Sequence, residues 1–120
     1  MSETIHYILV RRDLPFGTTL AMVAHAGQLG GFYSTVAVLG VRNERQLEKW
    51  CLKLADLDVL HEDIQEPDAP WNGALMAISV GPGYRDELSP HFRDLAPYYE
   101  FEGPTTTSSG PEPDLTTSCC

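Results

Sequence analysis

The sequence carries little positive charge. Of its 120 residues, 8 are Lys or Arg and 17 are Asp or Glu, which gives a formal net charge of −9. Because neutralisation of phosphates by Lys and Arg supplies most of the affinity of nucleic-acid binders, this balance opposes unaided binding to RNA or DNA. A nucleic-acid contact would need a local cluster, and the candidate side chains are Arg11, Arg12, Arg42 and Arg45.

Cysteine is also scarce, and its positions fit neither a disulfide framework nor a zinc site. Cys51 lies alone in a helical pattern, whereas Cys119 and Cys120 lie together in a Pro/Thr/Ser-rich segment. The 4 histidines are scattered, so no Cys/His spacing typical of zinc binding occurs. The sequence has no phosphate-binding loop and no dinucleotide fingerprint. It therefore predicts neither a metal nor a cofactor.

Long hydrophobic segments are missing too. No run approaches the roughly 20 apolar residues of a membrane span, and Glu3 and His6 interrupt any apolar leader. With a cysteine content that fits a reducing compartment, this predicts a cytoplasmic protein without membrane contact. The pair Cys119–Cys120 could carry a lipid in a eukaryotic cell, but two free thiols on a tail are the simpler interpretation.

The sequence does contain alternating strand and helix patterns. Predicted strands cover Ile5–Val10, Thr35–Val41, Val59–Ile64 and Ala74–Val80, and helices cover Thr18–Leu29, the segment after Asn43, and Asp86–Leu95, with a last extended piece at Tyr98–Phe101. Right-handed crossovers make the first three strands parallel, and the short third connection makes the fourth antiparallel. Residues 1–102 are thus predicted to form a three-layer α/β/α domain with a mixed four-stranded sheet. Residues 103–120, rich in Pro, Thr, Ser and Gly, are predicted to be a disordered tail.

The two main helices carry different signals. On the first, a stripe predicted to face the sheet consists of Leu20, Val23, Ala24 and Gly27, which would place His25 at the edge of the buried face. The second has a capping box, formed by Asn43 and Gln46, ahead of four apolar positions at helical spacing. Those positions are Leu47, Trp50, Cys51 and Leu54.

Polar groups follow the predicted strands at their carboxyl ends, where open α/β sheets bind ligands. The group comprises Asp13, Thr18, Thr19, Glu66 and Asp68, with His25 two turns along the first helix. Carboxylates beside a histidine can position and deprotonate a water, and helix-start amides can hold a developing oxyanion. As a set they are compatible with hydrolysis. Singly, each fits an ordinary role as a turn cap, a solvated loop residue or a histidine at the core edge.

These residues lie in segments that resemble the type 2 peptidyl-tRNA hydrolase family, in particular its short bacterial and phage-like branch. The segments are VRRDLPFGTTLAMVAHAGQLG, TVAVLGVRNERQLEKW and IQEPDAPWNGALMAISVGPG. Within them, the family's motif residues are matched by Arg12–Gly17, His25-Ala26, Glu66-Pro67-Asp68 and Gly81-Pro82. The resemblance extends over roughly residues 5–100, with the motifs in the family's order.

The resemblance implies a mixed four-stranded sheet, a homodimer, and hydrolysis of the ester that joins a peptide or N-blocked amino acid to tRNA, without metal or cofactor. It implies that Glu66, with Asp68, orients the attacking water and that His25 supports the site or donates to the leaving 3′ oxygen. The remaining roles would be oxyanion and substrate binding by Asp13, Thr18 and Thr19, and tRNA binding by Arg11, Arg12 and Arg42.

The chain departs from this family at one informative place. Archaeal and eukaryotic members carry a lysine-rich segment before the first helix, with a lysine considered catalytic. Here that position reads Gly17-Thr18-Thr19, and the first lysine of the chain is Lys49. Glu66 stands where those members have an aspartate. Because a lysine would bind phosphate and stabilise the oxyanion, its absence supports an alternative: a catalytically inactive member of the fold that binds a protein or a small ligand.

Overall fold

The structure, a computed structural model, describes residues 3–29 and 35–98, which form a four-stranded sheet with helices on both faces. Its elements are β1 (Thr4–Arg11), α1 (Phe16–Leu29), β2 (Thr35–Val41), α2 (Glu44–Asp56), β3 (His61–Glu66), β4 (Ala74–Tyr84), α3 (Arg85–Leu88) and a 3-10 helix (Ser89–Phe92). The predicted mixed four-stranded α/β fold is confirmed. The tail 103–120 and the extended piece beyond Tyr98 lie outside the described residues.

The strands lie in the order β2-β1-β4-β3. β1 pairs in parallel with β2, and β4 is antiparallel to both β1 and β3. The first three strands therefore run in one direction, as predicted, although β4 separates β3 from β1. As a result, β1, β2 and β3 end at the same edge of the sheet, and β4 begins there.

Each face of the sheet has its own hydrophobic core, because alternate strand residues point to opposite faces. The core beneath α2 includes Tyr7, Leu9, Leu47, Leu54 and Ile78. The core beneath α1 includes Ile8, Val10, Met22, Ala26 and Met76. The two central strands, β1 and β4, supply residues to both cores, which explains their nearly continuous apolar sequences.

The buried face of α1 differs from the predicted one. Its buried residues are Thr19, Met22 and Ala26. Of the predicted stripe, Val23 is half-buried against this core, whereas Leu20 and Ala24 are exposed, so the prediction was right only in part. The placement of His25 at the core edge was wrong, because His25 is exposed. The helix has small or apolar residues on nearly every side, so its pattern alone does not select a face. The small Ala26 faces the sheet, where it allows close packing, and this rotation turns Leu20 towards β2.

The second helix follows its prediction closely. Asn43 Oδ1 accepts from Gln46 N at 3.1 Å, and Gln46 Oε1 accepts from Arg42 N at 2.6 Å, one residue earlier than in a standard capping box. Leu47 and Leu54 are buried. Cys51 is half-buried and donates to Asp63 Oδ1 at 3.1 Å. Burial, followed by this hydrogen bond, raises the pKa of the Cys51 thiol to about 12.

The last two strands both extend beyond their predicted ends. β3 begins at His61 instead of Val59 and continues to Glu66. β4 continues through Gly81-Pro82-Gly83, which was predicted to stop it, because Gly83 and Tyr84 pair with the start of β1 after a register shift. The glycines accommodate this irregularity, and Gly81 adopts a φ of 93°. No helix in the described part of the chain is long and apolar enough to cross a membrane.

A polar pair lies inside the core beneath α1. His6 on β1 and Ser79 on β4 are both buried, and His6 Nε2 lies 2.6 Å from Ser79 Oγ. His6 Nδ1 has no hydrogen-bond partner within the described residues. Burial lowers the pKa of His6 from its usual value of 6.5, because a charged imidazolium would be poorly solvated there.

We expect His6 to make the protein less stable as pH falls. Its pKa is lower in the folded state than in the unfolded state, so the unfolded chain binds more protons below the usual pKa of 6.5. As the pH falls below 6.5, the free energy of unfolding should therefore decrease. The decrease should end once the pH is below the lowered pKa of His6 in the folded state. In the double variant His6→Leu/Ser79→Ala, which removes both polar partners, this contribution should disappear. Urea unfolding of the unsubstituted protein and of the double variant, repeated across this pH range, measures the contribution of His6. The same pH dependence in both proteins would contradict the prediction.

Candidate functional site

A buried arginine organises the edge where the parallel strands end. Arg11 is only 8% exposed. Its guanidinium donates to both carboxylate oxygens of Asp13, at 2.8 and 3.0 Å, and to Leu75 O at 3.1 Å. The ring of Trp71 lies 5.7 Å from the guanidinium carbon. Hydrogen bonding to Asp13 raises the pKa of Arg11, so the group stays charged. Arg11 thus links the end of β1 to the start of β4.

Glu44, which sequence reasoning missed, completes this junction. Leu75 N donates to Glu44 Oε2 at 2.9 Å, so side chains satisfy both backbone polar groups of Leu75. Glu44 opens α2, where a carboxylate also interacts favourably with the helix dipole. The sequence does show that Glu44 lies in the first turn of a helix. It does not show that Glu44 binds β4, because Leu75 lies 31 residues further along the chain.

The connection between β3 and β4 is a hydrogen-bonded turn that fixes the carboxylate of Glu66. Glu66 is half-buried, and its Oε2 accepts from Asp68 N at 3.1 Å. Its backbone oxygen accepts from Gly73 N at 2.7 Å. Asp68 O accepts from the amides of Trp71 and Asn72, at 2.9 and 3.0 Å. The structure thus brings Glu66 and Asp68 together, with the Asp68 side chain exposed to solvent.

The predicted residues of α1 separate into two groups. Thr19 is buried, and both its amide and its hydroxyl donate to Pro15 O, at 2.9 and 3.2 Å. Thr18 and His25 lie on the flank of the helix away from β2, with His25 exposed. They are about 10 Å apart along the axis. Among the residues that the structure describes, no hydrogen bond joins His25 to either carboxylate of the β3–β4 turn.

The predicted tRNA-binding arginines have different surroundings. Arg12 donates to Tyr98 O at 2.7 Å and to Pro97 O at 3.2 Å, and its guanidinium lies 4.9 Å from the Tyr98 ring centroid. It also fills the space beside Gly40, where a Cβ would lie 2.4 Å from the guanidinium. Arg42, by contrast, is exposed. Arg11 and Arg12 therefore hold the protein together, whereas Arg42 can meet a partner.

A cleft of about 410 Å³ lies between the carboxyl ends of β1 and β2. α1 and α2 leave these neighbouring strands towards opposite faces of the sheet, so the cleft is at a topological switch point, a usual position for ligands. Its lining includes two positively charged side chains, Arg12 and Arg42, and two negatively charged ones, Asp13 and Asp94. The sequence did not reveal this cleft, because Asp94 reaches it only when the C-terminal segment folds back.

Within residues 3–29 and 35–98, no three His, Cys, Asp or Glu side chains are grouped as ligands for a metal ion. The groups that the site does contain can support acid–base and electrostatic chemistry. One edge of the sheet carries the fixed carboxylate of Glu66, the exposed carboxylate of Asp68, the first amides of α1 and the Arg11–Asp13 pair.

Replacing Arg11 by Lys is expected to lower the free energy of unfolding by about 1–3 kcal/mol. An ammonium group cannot bind both oxygens of Asp13 and Leu75 O with the geometry of a guanidinium. The matched variant Arg42→Lys changes an exposed side chain and should alter stability by less than about 0.5 kcal/mol. Urea unfolding of the three proteins compares them. Equal effects of the two substitutions would show that the Arg11 contacts add no stability.

Comparison with known proteins informs the fold only. No protein-family model matches the chain, and no curated protein sequence matches it. Twelve solved chains do match. One is a protein of unknown function from Agrobacterium, strain C58, with a TM-score of 0.53 and 13% sequence identity. The match covers 81% of this chain and 98% of that chain. At this level of identity, the likeness shows a shared fold.

Proposed function

We propose that this protein is a type 2-like peptidyl-tRNA hydrolase, which cleaves the ester between a peptide or N-blocked amino acid and tRNA in the cytoplasm. The observation that carries the proposal is the Glu66 carboxylate. One of its oxygens accepts from Asp68 N at 3.1 Å, and the other has no hydrogen-bond partner within the described residues. A carboxylate held in this way can orient a water and accept its proton.

In this mechanism, Glu66 removes a proton from the water as the water oxygen bonds to the ester carbonyl carbon. The oxyanion is stabilised by amides that open α1, because Phe16, Gly17 and Thr18 precede the first hydrogen bond made within the helix. The carbon–oxygen bond to the ribose then breaks, and the 3′ oxygen takes the proton that Glu66 had accepted from the water, which returns Glu66 to its carboxylate form. Thr19 supports the start of the helix, since its amide and hydroxyl already bind Pro15.

The same proposal gives the remaining residues distinct tasks. His25, about 10 Å along α1 from Thr18, is too far from an oxyanion at the start of the helix to donate to the 3′ oxygen of the same ester, so it would contact the tRNA side of the substrate. Arg42 would contact the acceptor stem. Arg11 and Arg12 would act indirectly, by holding Asp13 and the C-terminal segment in place.

A second function is favoured by the charges around the site. Arg11 and Arg12 are engaged in intramolecular contacts, whereas Glu66 and Asp68 place two carboxylates at the end of β3, with Asp68 exposed at the rim. An acidic rim on a chain of net charge −9 repels tRNA phosphate. This observation supports a non-catalytic member of the fold that binds a protein or a small ligand, for which the cleft between β1 and β2 provides space.

Release of N-acetyl-aminoacyl groups from tRNA by the purified protein, measured across a salt series, separates the two functions. Salt-sensitive hydrolysis that disappears in the Glu66→Gln variant would support the hydrolase, because contacts with phosphate weaken as salt increases. Absence of hydrolysis at low salt, with protein shown by circular dichroism to be folded, would reject the hydrolase in favour of the binding module.

A further inference from the structure

The outer edge of β3 is open to an added strand. β3 ends the sheet order β2-β1-β4-β3, and no strand within residues 3–29 and 35–98 pairs with its outer side. Leu60 O accepts from Gly81 N at 3.0 Å, which fixes the hydrogen-bonding pattern between β3 and β4. Because inward and outward backbone groups alternate along an antiparallel strand, those of His61 and Asp63 point away from β4. Their amides and carbonyls can therefore pair with a strand from outside.

Acidic side chains flank this edge on both faces of the sheet. Glu62 and Asp63 are exposed neighbours on β3, so their side chains point to opposite faces. On the face covered by α2, Asp63 lines a cleft of about 390 Å³ together with Glu44 and Glu48. None of the described residues that line this α2–β3 cleft is positively charged. The edge and the cleft beside it are therefore both negative.

The lysines of α2 lie away from this cleft. Glu44 and Glu48 are one helical turn apart, and both line it. Lys53 lies on another side of the helix, where its Nζ is 4.6 Å from the centroid of the Trp50 ring. Lys49 is one turn before Lys53 and shares that side. The negative charge of the cleft is therefore left for a cation from outside the domain.

Three exposed leucines surround the same edge. Leu52 is 74% exposed, Leu60 71% and Leu57 42%. Leu52 lines the α2–β3 cleft, and the other two lie in the connection that leads from α2 into β3. A charged edge that served only to prevent pairing with other chains would gain nothing from exposed leucines beside it. An open strand edge with apolar surface beside it is suited to the addition of an extended peptide.

We propose that the outer edge of β3 binds a basic, extended segment of another protein, in which Lys or Arg residues alternate with apolar ones. The segment would add a fifth strand to the sheet through the outward amides and carbonyls of His61 and Asp63. Because side chains alternate along a strand, its basic residues would point together into the α2–β3 cleft, towards Glu48 and Asp63. Its apolar residues would point to the other face, where they would cover Leu60.

Charge selects this occupant over a second copy of the chain. A copy would bring its own net charge of −9 and place acidic side chains against Glu62 and Asp63, and like charges on paired strands are destabilising. A basic segment is attracted by the same charges. The interface uses neither the Glu66 carboxylate nor the start of α1, so it does not rest on the proposed hydrolase function. The test of one leaves the other unchanged.

Fluorescence anisotropy of a labelled peptide of alternating Lys and Val, titrated with the full chain, tests the interface. We expect saturable binding whose dissociation constant rises about tenfold or more in Glu48→Lys, because the new ammonium group repels the lysines that enter the cleft. Asp94→Lys is the matched control, since it makes the same change of charge at an exposed position in the cleft between β1 and β2. At physiological salt it should change the constant by less than about threefold, because distant exposed charges are screened.

Two further readouts separate strand addition from unspecific attraction. A peptide of the same sequence, N-methylated at every second amide, cannot pair with β3 and should bind about tenfold or more weakly. With the unmodified peptide bound, hydrogen exchange should slow at the Asp63 amide and remain unchanged at Val36, on the opposite edge strand.

Four results would overturn the proposal: no saturable binding, equal weakening by Glu48→Lys and Asp94→Lys, full affinity of the N-methylated peptide, or slowed exchange at Val36 instead of Asp63. Circular dichroism of each variant checks that it is folded. If Glu48→Lys does not fold, Glu48→Gln replaces it, with Asp94→Asn as its control and a weakening of about threefold as the expected result.

Discussion

Replacement of Glu66 by Gln is expected to slow hydrolysis of N-acetyl-aminoacyl-tRNA by about a hundredfold to ten-thousandfold. An amide cannot accept the proton of the attacking water. Its carbonyl oxygen can still accept from Asp68 N, as the carboxylate does at 3.1 Å, so the β3–β4 turn should remain intact. The initial rate of release at low salt gives kcat/KM for both proteins. Thermal unfolding monitored by circular dichroism checks that the variant is folded.

Glu62→Gln is the matched control for this effect. Glu62 lies on the same strand, is exposed, and is four residues before the strand end. The substitution removes the same charge without touching the turn, so activity should change by less than about threefold. If both variants lost activity equally, the loss would come from the charge of the protein rather than from a base at Glu66. An unimpaired Glu66→Gln variant would remove Glu66 from the mechanism.

The largest effect on stability is expected from Leu54→Ala, which should lower the free energy of unfolding by about 3 kcal/mol. Leu54 is fully buried between α2 and the sheet, in the core that also contains Leu9 and Ile78. Truncation removes apolar contacts and leaves a cavity that the neighbouring strands can only partly fill. Urea unfolding followed by circular dichroism measures the change.

Leu52→Ala provides the comparison, since it makes the same replacement in the same helix at an exposed position. Both variants change helix propensity equally, so their difference reports burial alone. We expect Leu52→Ala to shift stability by less than about 0.5 kcal/mol. Similar losses at the two positions would mean that α2 does not pack against the sheet through its Leu47 and Leu54 face.

The elements predicted correctly are those in which the local sequence pattern and the packing in the fold favour the same arrangement. β1 and β4 carry long apolar runs because each supplies both cores. α2 combines an Asn43 cap with a well-defined apolar face. The face of α1 could not be predicted, because nearly every side of the helix is small or apolar, and packing against β1 and β4 selected Met22 and Ala26.

The candidate site was predictable only in outline. Parallel strands bring their carboxyl ends to one edge, so topology was enough to place Asp13 and Glu66 at the same edge of the sheet, on strands that β4 separates. The engagement of the arginines did not, because their partners are distant in the chain: Leu75 for Arg11 and Tyr98 for Arg12. A sequence shows that a guanidinium is present, but only the fold shows whether its hydrogen bonds are already made within the protein.

The position of β4 has a consequence for synthesis of the chain. β4 lies between β1 and β3, although it is the last of the four strands to be made. Until Ala74–Tyr84 leaves the ribosome, β1 can pair only with β2, and β3 has no neighbour in the sheet. Thr4 meets its partner only when Tyr84 emerges. The nascent chain must therefore keep its apolar β1 from other contacts until nearly all of the described domain has been translated.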